Sequence, residues 1–517
     1  MPNKPGFKRE ITLLQIVIIG IVGAIGTGVL FSAAGMAGDA GPGSLLAWVI
    51  GAIMYASVGY TYMELSSTYP EAGGPTRYSL YTHGRFTNLI NSFADLVWYL
   101  FIPPIEALAV VEGFSYFFPS LMAASGAPTI MGSLLGVLLL LLFVPFNYFG
   151  TKVFGQSTAI LGIVKLLFYL AVAFGLILIF FRPSNFVAYH GFIPFGMYGV
   201  FLAIPLAMFA FGGIRVIPDY AEEVKDKKIL PKAIMLTVIG QTIIYILFSI
   251  AFIGGIKWSN LNLAVGDWAG LGKLVGNPFI IFASGFSSHP LLVLTLIVGL
   301  LGPFVTGYIY LGGGSRILFA MGRSGIVNKS LKSLHEVHNI PYLSLIVFAV
   351  IGAFVAFIAA PLPNIYSLIT DAVVGGYIGF ATNPVAMIVS RMQGVTKNRM
   401  KFGNIIAPMA FASASLIVFW SGWPSVPYAV LMMTGAVILF SYLFKIKENI
   451  SNSVWYMLYI AFLLAMTAIG SVGELNVIPF GISTLLVLVG SVVVFYPLGI
   501  RSGLAKPFSA KGITTLT

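Results

Sequence analysis

Apolar residues gather in fourteen runs separated by short polar stretches. Each run predicts a membrane-crossing helix, since a bilayer takes about 20 helical residues. The spans are roughly 10–36, 44–69, 88–118, 129–149, 155–181, 195–220, 230–256, 288–321, 340–360, 364–391, 404–422, 426–444, 453–472 and 478–500. The last four are plain: no charge falls between Asn404 and Lys445, and only Glu474 between Glu448 and Arg501.

The first run is interrupted. Gly23-Ala24-Ile25-Gly26-Thr27-Gly28 sets three glycines and a threonine near its middle. Glycine costs about 1 kcal/mol in a helix interior, and each backbone group freed in lipid costs several more. Such a break persists where protein or a water-filled cavity satisfies the freed N–H and C=O groups. It predicts either a ligand site at mid-membrane or a face where glycines let helices approach closely. A second break, Ala207-Met208-Phe209-Ala210-Phe211-Gly212-Gly213-Ile214, lies five spans later. Matched breaks in two halves point to a transporter binding site, and an odd number of spans per half inverts the second half. The expected layout is therefore a first repeat over 1–181, an inverted second repeat over 195–391, accessory helices over 404–500 and a tail over 501–517.

Composition narrows the class. Of 517 residues 58% are hydrophobic and 9% charged, which fits a polytopic membrane protein and no soluble domain of this length. Cysteine is absent, which excludes disulfides, thiolate metal sites and a cysteine nucleophile. The net charge of +12 is distributed as topology rather than as a nucleic-acid site. With the N-terminus inside, 23 of the 28 basic residues fall on inner segments, and only Arg182, Lys257 and Lys273 on outer ones. Both termini are thus expected in the cytoplasm, with Lys225 to Lys232 against the inner leaflet. The first run is too long for a cleaved signal and ends in no small-residue cleavage site.

Four segments resemble, in order and on the expected spans, the amino acid–polyamine–organocation permeases. They are Ile25-Gly26-Thr27-Gly28-Val29; Tyr69-Pro70-Glu71-Ala72-Gly73-Gly74-Pro75-Thr76-Arg77-Tyr78; Phe209-Ala210-Phe211-Gly212-Gly213 with Ala221-Glu222-Glu223-Val224-Lys225 and Pro231-Lys232-Ala233-Ile234; and Ser315-Arg316 through Gly322-Arg323. The resemblance covers roughly residues 10–445. It implies an all-α polytopic protein with a five-plus-five inverted-repeat core, helices one and six broken at mid-membrane, and about fourteen helices rather than the commoner twelve. It also implies site roles. Thr27 and Gly28 hold a substrate carboxylate, carbonyls of Ala24, Ile25, Phe209 and Ala210 hold its amine, and Phe211 lies over the substrate as part of a gate. Gly26, Gly212 and Gly213 open the backbone between them. The physics agrees: a half-helix N-terminus suits an anion, and carbonyl ends suit an ammonium.

Two basic residues lie within spans. Lys165 stands about ten residues into span five, where a cation costs about 2.5–3.5 kcal/mol on insertion scales. In some proton-coupled members of the family a lysine at this position occupies the place of a second sodium ion. The resemblance implies a proton carrier touching helix-one carbonyls near Gly23, or a static charge that braces the helices. Arg215 stands where many members carry an acid; with Asp219 at i+4 it predicts a local ion pair. Glu106, after Pro103-Pro104 in span three, is a candidate contact for a cationic substrate side chain or for a neighbouring helix. Glu112 reads as outer vestibule, Asp95 as interfacial, Glu64 as part of a cytoplasmic loop network, and Asp371 as gate or packing.

The remaining signals are bland. The histidines of His335-Glu336-Val337-His338 are not spaced as zinc-protease ligands, no phosphate-binding loop is present, and two Asn-x-Ser triplets fall on the inner side. No cluster of nucleophile, metal ligands or acid/base groups suggests an enzyme. The expectation is a secondary transporter of the cell membrane that moves amino acids by alternating access, with a proton as coupling ion. An amino acid or amine exchanger with a structural Lys165 is the alternative. Its partners are the amino acid, the proton and membrane lipid; no cofactor, metal or nucleic acid is expected. The chain is silent on oligomeric state.

Overall fold

The computed structural model describes residues 6–274, 276–285, 288–358, 374–448 and 450–505. Over these residues the chain is helical, with three isolated bridges and no named strand. The first predicted span is two helices. α1 (Leu13–Ala24) starts at a reciprocal cap, in which Thr12 Oγ1 accepts the Gln15 N–H at 3.4 Å and Gln15 Oε1 accepts the Thr12 N–H at 2.9 Å. It stops at Ala24, where the Gly26 N–H turns back to the Ala24 carbonyl at 2.9 Å, and α2 (Thr27–Ala40) begins.

α3 (Ser44–Thr68), the short α4 (Gly74–His83), α5 (Arg85–Ser115), α6 (Ile130–Tyr148) and α7 (Thr151–Phe180) follow. The sixth span is again two helices, α8 (Gly196–Ala210) and α9 (Gly213–Asp219), separated at Phe211-Gly212. Then come α10 (Leu230–Gly255), the short α11 (Trp268–Leu271) and α12 (Pro278–Ser284), α13 (His289–Ser324) and α14 (Tyr342–Ile358). Helices Thr382–Met392, Gly403–Trp420, Ser425–Leu443, Val454–Ile469, Phe480–Val489 and Tyr496–Ala505 complete the described chain. Eleven of the described helical segments are long and apolar enough to cross a membrane, and α1 and α14 are apolar but shorter. The first part of the expected span 364–391, with Asp371, lies outside the described residues.

The broken helices sit at the centre. Every residue of α9 is buried, and every residue of α2 but Asp39. α2 packs on α8, α3 on α10, and α13 on α5 and α7. Leu138, Leu178 and Tyr442 point outward, as suits helices whose surroundings are as apolar as leucine. Ion pairs tie the turn after α9 to α13, and α3 to the helix Thr382–Met392. Arg316 holds Glu223 with two hydrogen bonds of 2.7 and 2.9 Å, Arg323 holds Glu222 at 2.7 and 3.0 Å, and Arg391 Nε reaches Glu64 at 2.6 Å. Gly73 explains part of its motif: its φ is +63°, and a Cβ there would come within 2.5 Å of the Arg316 carbonyl.

The C-terminal helices close on α4 through His83. This residue is buried, its Nε2 donates to the Gly499 carbonyl at 2.9 Å, and its Nδ1 lies 2.7 Å from Thr82 Oγ1. Burial pushes its imidazole from 6.5 down to about 4. The folded state therefore keeps His83 neutral while an unfolded chain would protonate it, so stability is complete above about pH 6.5 and falls as pH drops from there toward 4. The cost at the low end is on the order of 3 kcal/mol, from about 2.5 pH units at about 1.4 kcal/mol each. In thermal unfolding against pH, the wild type should lose more stability over this window than His83→Gln; identical profiles would contradict the assignment.

Candidate functional site at the helix breaks

The end of α1 frees backbone acceptors, and the start of α2 frees donors. On the donor side, the Thr27 N–H faces both carboxylate oxygens of Glu106 at 3.2 and 3.1 Å, and Thr27 Oγ1 donates to Oε1 at 2.8 Å. The N-terminus of α2 is thus capped by a carboxylate from α5, as the helix dipole favours. The Thr27 N–H, expected to hold a substrate carboxylate, holds that of Glu106 in this structure. This contact also answers the question about Glu106: its partner is a neighbouring helix end, 79 residues away in sequence. Gly26 is required here, because a Cβ would come within 2.6 Å of Glu106 Oε2. Gly28 allows a second close approach, its absent Cβ lying 3.0 Å from Ala210 Cα.

On the acceptor side, the Gly26 N–H bonds to Ala24 rather than to Val22, which leaves the Val22 carbonyl without its helical donor. Lys165 supplies one. Its buried Nζ donates to the Val22 carbonyl at 2.8 Å, the Gly302 carbonyl at 2.8 Å and Thr306 Oγ1 at 2.9 Å. Thr306 Oγ1 in turn donates to the Val22 carbonyl at 3.0 Å. Three acceptors meet the three donors of an ammonium, and together they tie α1, α7 and α13. Tyr169 OH, one turn along α7, donates to the Gly26 carbonyl at 3.4 Å.

The second break is braced from outside. The Ala210 carbonyl accepts from Tyr245 OH, and the Ile214 N–H donates to Tyr55 OH at 2.6 Å. Gly213 presses against the Gly20 carbonyl and Gln241, which are themselves joined at 2.8 Å. Gly212 lies against Tyr310 and Trp98.

Between the breaks lies a narrow cavity of about 10 Å³, room for about one water molecule. Ala24, Gly28, Phe209 and Glu106, all singled out from sequence, line it together with Gly23. Ile25 is fully buried, and its side chain does not line the cavity. Phe211 corrects an expectation: it is not over the cavity but packed among Trp48, Tyr55 and Tyr245, at ring distances of 5.7, 4.9 and 5.0 Å. Two residues at about 100° each set Phe211 about 160° around the axis from Phe209, and the aromatic cluster takes the second ring. Ile102, Thr306 and Tyr310 also line the cavity and were missed. The four-residue spacing of Gly302, Thr306 and Tyr310 along α13, one polar stripe on an apolar helix, was the available signal.

Arg215 and Asp219 do not pair with each other. Arg215 pairs with Asp95, and Asp219 accepts from Tyr99 OH. α9 is buried on all sides, so both side chains find partners on α5 instead of along their own helix. Asp95 is accordingly buried rather than interfacial, and also accepts from Thr76 Oγ1 at 3.0 Å. Glu112 is buried as well. Among the described residues, no three His, Asp or Glu side chains gather as metal ligands.

Comparison with known proteins fits this geometry. Residues 11–432 match the family model described as amino acid permease. The chain is 30% identical over 515 residues to the aspartate-proton symporter of Bacillus subtilis strain 168, covering 96% of this chain and 97% of that protein. It is 27% identical to the glutamate/serine transporter AimA of the same organism, covering 96% and 94%. The branched-chain amino acid permease BcaP, also from that strain, is 27% identical over 68% of this chain and 75% of its own length. These relatives are transporters and not enzymes. The chain is a multi-pass membrane protein that belongs to the amino acid permease family.

Proposed function

We propose that this chain imports an amino acid across the cell membrane together with a proton, by alternating access of the cavity between the two helix breaks. The observation that carries the reading is the Lys165 staple: one ammonium ties the end of α1 to α13. Loss of its proton removes a donor from Val22 and frees α1 to move; its return fixes α1 again. The aspartate-proton symporter among the relatives supports a proton as driver, and the relatives' names support an amino acid as cargo. The positive-inside charge pattern supports cytoplasmic termini.

Glu106 defines how the substrate enters. Its carboxylate already sits where the α2 N-terminus would receive the substrate's own, bound to Thr27. The substrate carboxylate displaces it, takes the N–H groups of Thr27 and Gly28, and places its amine at the carbonyls of Ala24, Ile25, Phe209 and Ala210. The last of these already accepts one hydrogen bond, from Tyr245. Phe209 closes over the bound molecule.

An exchanger is the second reading. It is favoured by the completeness of the Lys165 coordination, with every ammonium donor met inside a buried site. A static brace would look the same. Labelled amino acid uptake into proteoliposomes separates the two. The proposal expects accumulation under an imposed pH gradient into empty vesicles; uptake that needs internal amino acid and ignores the gradient would establish exchange. Glu106→Gln offers an independent check. The neutral amide competes less well than the Glu106 carboxylate for Thr27, so substrate should bind several-fold more tightly near neutral pH. Unchanged or weaker affinity would contradict displacement.

A further inference from the structure

Arg215 is the charged group that the transport scheme leaves unused. It is the third residue of α9, fully buried, and its guanidinium is flanked by the faces of Trp98, Tyr99 and Phe380 at 5.8, 5.5 and 4.8 Å. A guanidinium keeps its charge and carries five N–H donors in a fixed fork. Asp95 is its ion-pair partner. Among the described residues Nε, Nη1 and Nη2 all lack a hydrogen-bond acceptor, and only Nη2 has the Asp95 ion pair. Buried donors are ordinarily satisfied, and a guanidinium with open donors is built to receive a planar, two-oxygen acceptor.

The open fork lies close to the substrate cavity. Phe209 lines the cavity, and Trp98 stands between, 6.4 Å from the Phe209 ring and 5.8 Å from the guanidinium. Trp98 itself packs closely on Gly212, where a Cβ would come within 3.1 Å of its Cζ2. Tyr377, packed on Trp98 at 5.9 Å, has a buried hydroxyl that also lacks a partner among the described residues.

We propose that the transported amino acid is dicarboxylic, and that Arg215 receives its side-chain carboxylate through Nε and Nη1 once Trp98 has turned aside. The α-carboxylate goes to Thr27 and Gly28 and the second carboxylate to Arg215, so the chain selects aspartate or glutamate over their amides. This rests on the transport function proposed above. A role of Arg215 as neutralising partner of Asp95 alone accounts for the ion pair but not for the two open donors.

The test is competition against labelled aspartate and labelled glutamate uptake by the full chain in proteoliposomes, with aspartate, asparagine, glutamate, glutamine and alanine as competitors. The proposal expects each acid to compete at least tenfold better than its amide. Arg215→Lys keeps the charge beside Asp95 but loses the fork, and should lose most of that preference while alanine still binds. Arg215→Met with Asp95→Asn removes both charges together and should abolish the preference. Amides that compete as well as acids in the wild type overturn the proposal without recourse to any variant, as does a preference that survives in a variant still binding alanine. If alanine or another neutral amino acid is carried while the acids are not, the dicarboxylate assignment fails and the transport function stands. If no amino acid is carried or binds, both fail.

Discussion

Replacing Lys165 by methionine should abolish accumulation driven by a pH gradient. Coupled to one proton, a wild-type transporter under a gradient of one pH unit can concentrate its substrate about tenfold, because each unit is worth about 1.4 kcal/mol. Methionine matches the length of the lysine stem but supplies no donor, so the Gly302 carbonyl loses the bond from Lys165 and the Val22 carbonyl keeps only the one from Thr306 Oγ1. The end of α1 is no longer fixed by a group that can lose and regain a proton. The internal-to-external ratio should therefore fall to about one, the equilibrium value without coupling. Equilibration of labelled substrate down its own gradient should persist, which shows that the variant is folded. A Lys165→Met protein that still concentrates substrate tenfold would remove the lysine from the coupling mechanism and leave it a brace.

The second large effect is at Thr27. It is the first residue of α2, a position at which proline is well tolerated because its N–H has no partner within the helix. Thr27→Pro thus deletes the one backbone donor and the one hydroxyl that now hold a carboxylate, and leaves α2 able to form. A hydrogen bond to a charged group contributes about 1.5–3 kcal/mol, so the loss should weaken substrate binding on the order of 10- to 100-fold or more. Thr27→Val removes the hydroxyl alone and should cost less. Calorimetric or thermal-shift titration of the purified protein reads both. Equal affinities for wild type and Thr27→Pro would mean that the carboxylate binds elsewhere.

Several features were legible in the sequence because each violates what a lipid-embedded helix tolerates. Glycines clustered in an apolar run mark a backbone that must be supported by something other than its own hydrogen bonds, and the helices do change at Ile25-Gly26 and Phe211-Gly212. A lysine deep in a span must be buried and partnered, and Lys165 is. Directions around a helix axis were not legible. Phe209 and Phe211 are two residues apart, and only the positions of Trp48, Tyr55 and Tyr245 determine which ring meets the cavity. The i,i+4 spacing of Arg215 and Asp219 suggested a local pair, but spacing indicates only who can meet; a helix buried on every side chooses among partners from α5 as well. The Glu106 cap was out of reach for the same reason. Nothing local links it to Thr27, and the contact exists only once α5 has packed beside the break.

The central claim is that substrate and proton cross together through this one site. It is tested most directly by reconstituting the full chain in vesicles that hold a pH-sensitive dye, with no initial pH gradient, and adding amino acid outside. The account predicts that the vesicle interior acidifies as labelled substrate enters, in proportion to it, and that Lys165→Met uncouples the two. Substrate entry with no acidification in the wild type would contradict it.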